Sequence, residues 1–158
     1  MFSSFRPNEN KKDLKSIISG SPDNFGGVYD IPSHSINFLE VHDDYCFSDF
    51  LRLSSGVNNK NDMILDKLNH ILLSSQLNKM NKLGAFILFT SQGVPLIHQG
   101  QEWGHSQIIQ KTDIIDLDVH KMDPNPYNKD NETNWVNWNE LKQNDCLLYT
   151  SDAADDLL

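Results

Sequence analysis

At 158 residues the chain is long enough for one domain with a real core, and 38% hydrophobic and 22% charged residues are ordinary for a soluble protein. A formal net charge of −9 argues against nucleic acid or an anionic membrane as partner and suits a neutral ligand. No apolar run approaches the roughly 20 residues that span a bilayer, and Met1-Phe-Ser-Ser-Phe-Arg lacks a signal-peptide layout; the compartment stays open, with the cytoplasm slightly favoured. Cys46 and Cys146 form neither a CxxC pair nor a disulfide framework.

Lys11 to Ser19 reads as a short helix ended by Gly20. Ser21 to Ser35 carries Pro22, Gly26, Gly27 and Pro32 and reads as a loop. Ile36 to Val41 is short, mostly apolar and β-rich, which predicts a buried strand with His42 to Tyr45 as its polar exit. A short helix follows over Phe47 to Leu53. Asn61 or Asp62 is placed to cap a helix over about 62–79, with Ile64, Leu65, Leu68, Ile71 and Leu72 at helical spacing. A second helix over 81–91 holds the run Leu83 to Phe89, which reads as buried. Gly93 closes it, Pro95 prevents its continuation, and Val94 to His98 is the next strand. Strand, helices, strand is a crossover unit, and such units are almost always parallel. From Trp103 to Asn134 little periodicity is visible, and so long a loop is functional or disordered more often than not. The run Asn139-Glu-Leu-Lys suggests a last helix.

Two apolar runs that end in ionisable residues are how buried strands deliver chemistry at their C-terminal ends. The first ends in His42-Asp43-Asp44-Tyr45, the second in His98-Gln-Gly-Gln-Glu102. An aspartate there can be ionised and aimed into a cleft; the competing reading of His42-Asp43 is a plain loop cap. His98, Glu102 and His105 have helix-like spacing for a metal, but Gly100 and Gly104 argue against one helix carrying all three, so no metal site is expected. Tyr45, Trp103, Trp135 and Trp138 can stack on a ring-shaped ligand or simply pack.

The segment Asn37-Phe-Leu-Glu-Val-His42-Asp43-Asp44-Tyr45 resembles the strand-seven motif of the α-amylase family, glycoside hydrolase family 13. Gly93-Val-Pro95 with Gly100-Gln-Glu102 resembles that family's strand-eight element. Tyr127-Asn-Lys-Asp130-Asn131-Glu132-Thr-Asn-Trp135-Val-Asn-Trp138 is similar to a segment of isoamylases and glycogen-debranching enzymes, while Phe47 to Ser54 is more like pullulanases. The three motifs stand in the family's order, and the resemblance covers roughly Lys11 to Asn144.

The resemblance implies an α/β fold, the C-terminal part of a (β/α)8 TIM barrel, about strands 7 and 8 with their helices, over residues 1–145. It implies an α-glucan substrate and retaining hydrolysis of α-1,6 or α-1,4 bonds. Asp43 matches the carboxylate that stabilises the oxocarbenium-like transition state, His42 and Tyr45 match substrate-binding positions, and Glu102 matches a supporting, hydrogen-bonded group. A nucleophile and a general acid about 5 to 5.5 Å apart are also required; the family carries them after strands four and five, and nothing here matches those strands. Asp44 and Glu40 are not promoted to those roles, Glu40 being expected to precede the catalytic edge. No cofactor is implied, and calcium is left open. Residues 146–158 read as translation of a sequencing adaptor. The alternative function is a non-catalytic carbohydrate-binding or interaction protein derived from a half barrel.

Overall fold

The computed structural model describes residues 11–21, 28 and 30–143. The adaptor reading of residues 146–158, Cys146 included, falls outside them. The chain divides into two compact units: residues up to Leu39 together with Leu83–Ile97, and Glu40–Lys82 together with the residues from His98 onward.

In the first unit, α1 spans Lys11–Ile18. It ends as expected at Gly20. The Gly20 amide donates to the Ile17 carbonyl at 3.0 Å and the Ser21 amide to the Ser16 carbonyl at 2.8 Å, which together satisfy two of the last free carbonyls of the helix. This closure needs the positive φ of +80° at Gly20, and a Cβ there would lie 2.7 Å from the Pro32 Cβ.

Strands β1, Ile36–Asn37, and β2, Val94–Pro95, pair in parallel with Ile36 opposite Val94 and Asn37 opposite Pro95. Donation from the Val94 amide to the Ser35 carbonyl and from the Leu96 amide to the Asn37 carbonyl, both at 2.8 Å, makes the ladder. The Asn37 side chain reinforces it, donating Nδ2 to the Gln92 carbonyl at 2.8 Å and accepting Ser35 Oγ at 3.1 Å. Parallel pairing agrees with the crossover expectation, but each strand is two residues long rather than the predicted Ile36–Val41 and Val94–His98. Nor are they buried: Ile36, Val94, Leu96 and Ile97 are all exposed. The predicted lengths assumed neighbours on both sides, and among the described residues these two strands have only each other.

The helices between the strands also differ from expectation. Asp62 does not cap a helix; its Oδ2 accepts the Asn59 amide and Asn58 Nδ2, closing a local turn. Ile64 is drawn into the core of the second unit, its amide bound to the His120 carbonyl at 2.7 Å. That contact holds residue 64 out of any helix, and α3 is the single turn Lys67–His70, capped by the Asp66 carboxylate on the Asn69 amide. The chain breaks and restarts as α4, Ser75–Thr90, with Ser74 Oγ accepting the Leu77 amide. In the run expected to be buried, Gly84 and Leu88 are buried but Leu83, Phe86 and Phe89 are exposed. No helix among the described residues is long and apolar enough to cross a membrane.

The second unit is built around α2, Phe47–Ser54, close to its predicted span. Ile64, Ile108 and Met122 form an apolar cluster against which Tyr45 and Leu53 pack. A fully buried side chain of this size stabilises the fold by roughly 1.5–3 kcal/mol. The aperiodic stretch after Trp103 is organised by backbone pairing: Ile109 donates to Lys121, His120 to Ile109 and Asp123 to Gln107, around an antiparallel bridge between Ile108 and Met122. Buried Thr133 accepts the Gln110 amide through Oγ1 and ties residues 130–134 to that pair. The last helix, α5, spans Trp138–Gln143.

Asp49, on α2, is the polar centre of this unit, with a fully buried side chain. It accepts Ser106 Oγ, the Gln107 amide, the Cys46 thiol and Arg52 Nη1, and lies 3.4 Å from His70 Nε2. Arg52, itself buried, donates Nη2 to the His70 carbonyl at 2.6 Å. Burial alone would push the Asp49 carboxyl up; the hydrogen bond from His70, the Arg52 charge and the bonds from Ser106 and Cys46 outweigh it and hold it below its ordinary range.

Candidate functional site

Three residues beyond β1 the chain reaches Glu40, and three beyond β2 it reaches His98. These positions meet: His98 Nδ1 lies 2.9 Å from Glu40 Oε1. The same oxygen is 2.8 Å from His105 Nε2, and the second carboxylate oxygen, Oε2, accepts the Phe47 amide at 2.6 Å. Glu40 is 3% exposed.

His105 reaches Glu40 because the chain turns back on itself. The 3-10 turn Gln101–Trp103 is bracketed by Gly100 at φ 104° and Gly104 at φ 70°. The His105 amide donates to the Gly100 carbonyl, and a Cβ on Gly100 would overlap the His105 ring. The His105 carbonyl accepts Ser48 Oγ and the Cys46 thiol, so α2 fixes this residue from behind. Burial works against a charged His105, but the hydrogen bond and charge of Glu40, with Asp49 and Glu140, raise its pKa on balance. Burial likewise disfavours the Glu40 anion, and the hydrogen bonds from His105, His98 and Phe47 overcome it, so this carboxyl is held low.

Between Glu40 and Phe47 the loop carries the expected site residues outward. His42 and Asp43 have side chains 60% and 78% exposed, with His42 Nε2 3.4 Å from Asp43 Oδ1. The His42 ring lies 5.9 Å from that of Tyr127, centroid to centroid. Asp44 takes a positive φ of 71°, and its Oδ1 accepts the Tyr45 amide at 2.9 Å, turning the chain back toward α2. Tyr45 sits half-buried against the apolar cluster. Its phenol pKa is raised, by burial first and then by Asp44 and the other carboxylates around it.

Glu102 is exposed rather than buried; it accepts the Gly100 amide at 2.9 Å and so braces the turn that returns His105. The anticipated trio of His98, Glu102 and His105 therefore resolves differently. The two histidines converge, but on Glu40. The ligand atoms of Glu40, His98 and His105 lie within 4.8 Å of one another, close enough for a divalent ion, and both histidine nitrogens are within hydrogen-bond distance of the one Glu40 oxygen, at 2.9 and 2.8 Å. Glu40, expected only to precede the catalytic edge, is the residue on which the two histidines converge. The signal in the sequence is a carboxylate inside an apolar run, which demands buried partners.

Of the other aromatics, Trp103 is buried and lies 5.9 Å from the Trp138 ring, whereas Trp135 and Trp138 are exposed, Trp135 donating Nε1 to Asp130 at 3.1 Å. An open groove of about 520 Å³, lined by Ile109, Thr112, Asp116, Lys129, Asp130 and Thr133 among others, lies along the aperiodic stretch.

No family model matches the chain. It is 36% identical over 72 residues to a pullulanase of Bacillus subtilis, covering 46% of this chain and 8% of that protein. It is 25% identical over 152 residues to a glycogen operon protein GlgX homolog of Mycobacterium tuberculosis, covering 86% of this chain and 19% of that protein. It is 26% identical over 147 residues to the chloroplastic isoamylase SU1 of Zea mays, covering 84% and 17%. The chain thus spans less than a fifth of the length of the curated relatives it matches. Isoamylases are among the proteins that the segment Tyr127 to Trp138 resembles, and pullulanases are those that Phe47 to Ser54 is more like.

Proposed function

We propose that this chain is the C-terminal barrel segment of an α-glucan debranching hydrolase, cleaving α-1,6 or α-1,4 glucosidic bonds with retention. Asp43 is the carboxylate that stabilises positive charge on the sugar ring, His42 and Tyr45 contact the substrate, and Glu102 has a supporting role. The observation that carries this reading is the parallel pairing of Ile36–Asn37 with Val94–Pro95, the two strands that lead into the two motifs. Similarity to proteins named pullulanase, isoamylase and GlgX homolog supports the substrate class.

The site chemistry supports a segment rather than a self-sufficient catalyst. Asp43 is wrapped by water, where Coulomb attraction to a nascent cation is weak. Transition-state stabilisation of several kcal/mol needs a drier cleft, and one carboxylate cannot also be nucleophile and proton donor. Barrel strands one to six, with an Asp and a Glu at two strand ends, would supply both. Residues 146–158 belong, on this reading, to a non-native tail.

The test is to assay the 158-residue chain beside the hydrolase encoded by the extended reading frame, for reducing-end release from pullulan, glycogen and starch. Turnover by the extended protein alone supports the proposal. Glucan binding without turnover by both proteins would favour the carbohydrate-binding alternative.

A further inference from the structure

We propose that Glu40 is the positioning residue of this site, its buried carboxylate fixing the loop that presents His42 and Asp43. This rests on the reading of Asp43 given above, but the geometry behind it is separate. Phe47 is the first residue of α2, and the amides at a helix start have no partner within the helix. By accepting the Phe47 amide, Glu40 closes residues 40–47 into a ring through its own side chain. The other oxygen receives both imidazoles from the segment after β2. One carboxylate thus anchors both ends of the loop and joins them to His98 and His105.

The loop between the anchors has few holds of its own. His42, Asp43 and Asp44 are exposed, and beside the anchors they have the bond from the Tyr45 amide to Asp44 Oδ1, the His42–Asp43 contact, the His42 ring against Tyr127, and Tyr45 packed on the apolar cluster. The direction of Asp43 is therefore set from the loop's ends. His105 is a rigid anchor because α2 holds its carbonyl, and Glu102 braces the turn that delivers its ring.

A carboxylate accepts from the Phe47 amide and from both imidazoles at once. Glutamine is nearly isosteric, but it can meet the same three groups only with its oxygen toward Phe47 and with both imidazoles neutral and turned to accept, so the tautomers that suit Glu40 no longer fit. Charge-assisted bonds are also the stronger kind, and Glu40→Gln removes the charge.

The first test uses the 158-residue chain and needs no activity. Hydrogen exchange followed by mass spectrometry should show peptides over residues 41–47 exchanging about tenfold faster in Glu40→Gln, with peptides over Asp49–Ser55 unchanged. Unaltered exchange at 41–47 would overturn the proposal. If Glu40→Gln loosens the whole chain, His98→Ala decides: His98 is 31% exposed, and its loss removes one donor without opening the core. It should then speed exchange at 41–47 alone, and no change there would overturn the proposal equally.

The second test is a double-mutant cycle in the extended hydrolase. Glu40→Gln should lower kcat by about 10²-fold, the cost of a misplaced group, and raise KM by a smaller factor through the displaced His42. In an Asp43→Asn background it should cost no more than about twofold, because a group that acts through Asp43 has nothing left to position. Equal losses in both backgrounds would make Glu40 a general structural residue and overturn the inference. An Asp43→Asn enzyme with full turnover would instead refute the role of Asp43, leaving the exchange result to stand by itself.

Discussion

Glu40 and His105 lie 65 residues apart in sequence, yet Glu40 Oε1 is 2.8 Å from His105 Nε2. The pair should give the second unit a pH-dependent stability. The Glu40 carboxyl is held below its ordinary value of 4.5, so its contribution is fully present above that value and is lost as pH falls through the lowered one. The His105 pKa is raised above 6.5, so its contribution is fully present below 6.5 and is lost as pH rises through the raised one. Both are complete only between those ordinary values. Denaturation midpoints measured from pH 3 to pH 9 should therefore peak inside that window, with Asp49 adding to the acid limb. Glu40→Gln should flatten both limbs. A midpoint that climbs steadily through pH 8 would contradict this assignment.

Asp49 should be the most sensitive position of the second unit. Replacing it by Ala leaves Arg52 buried with its charge unpaired, along with the Ser106 and Gln107 donors. The expected loss is about 3–5 kcal/mol, the range for breaking a buried pair from one side. Chemical denaturation measures it, and a loss within experimental error would remove Asp49 from the centre of the unit.

Gly93 has φ 121°, and an added Cβ would sit 2.8 Å from Asn37 Nδ2 and 2.9 Å from the Ser35 carbonyl. Gly93→Ala should destabilise the parallel ladder by about 1–3 kcal/mol through backbone strain alone. The thermal midpoint should fall accordingly, whereas an unchanged midpoint would mean that the ladder contributes little.

Glu102 is exposed and bonded to the backbone of its own turn. In the extended hydrolase, Glu102→Gln keeps a carbonyl acceptor for the Gly100 amide and should leave kcat within about threefold. A loss of orders of magnitude would contradict the supporting role assigned to Glu102.

Local signals were read well where one local interaction decides the outcome. Gly20 ends α1, and the amphipathic run from Phe47 forms α2. Readings failed where a distant contact overrides propensity. Ile64 fits a helical stripe, but the His120 carbonyl binds its amide and its side chain joins Ile108 and Met122. The apolar runs predict longer strands than form because such runs read as wholly buried, while Ile36 and Val94 are exposed. The exposed pair His42-Asp43 was legible as a motif. Glu40 was not, because its meaning lies in partners brought from 58 and 65 residues away.

The most direct measurement is reducing-end release from pullulan and glycogen by the extended hydrolase and its Asp43→Asn variant, with melting curves for both. Asp43 is exposed on a loop outside the core, so the substitution should leave the melting temperature in place. Turnover should fall by about 10²–10³-fold or more, the scale for removing one group that meets developing transition-state charge. An Asp43→Asn enzyme that releases reducing ends at the rate of the unaltered protein would contradict the assignment of this loop to catalysis.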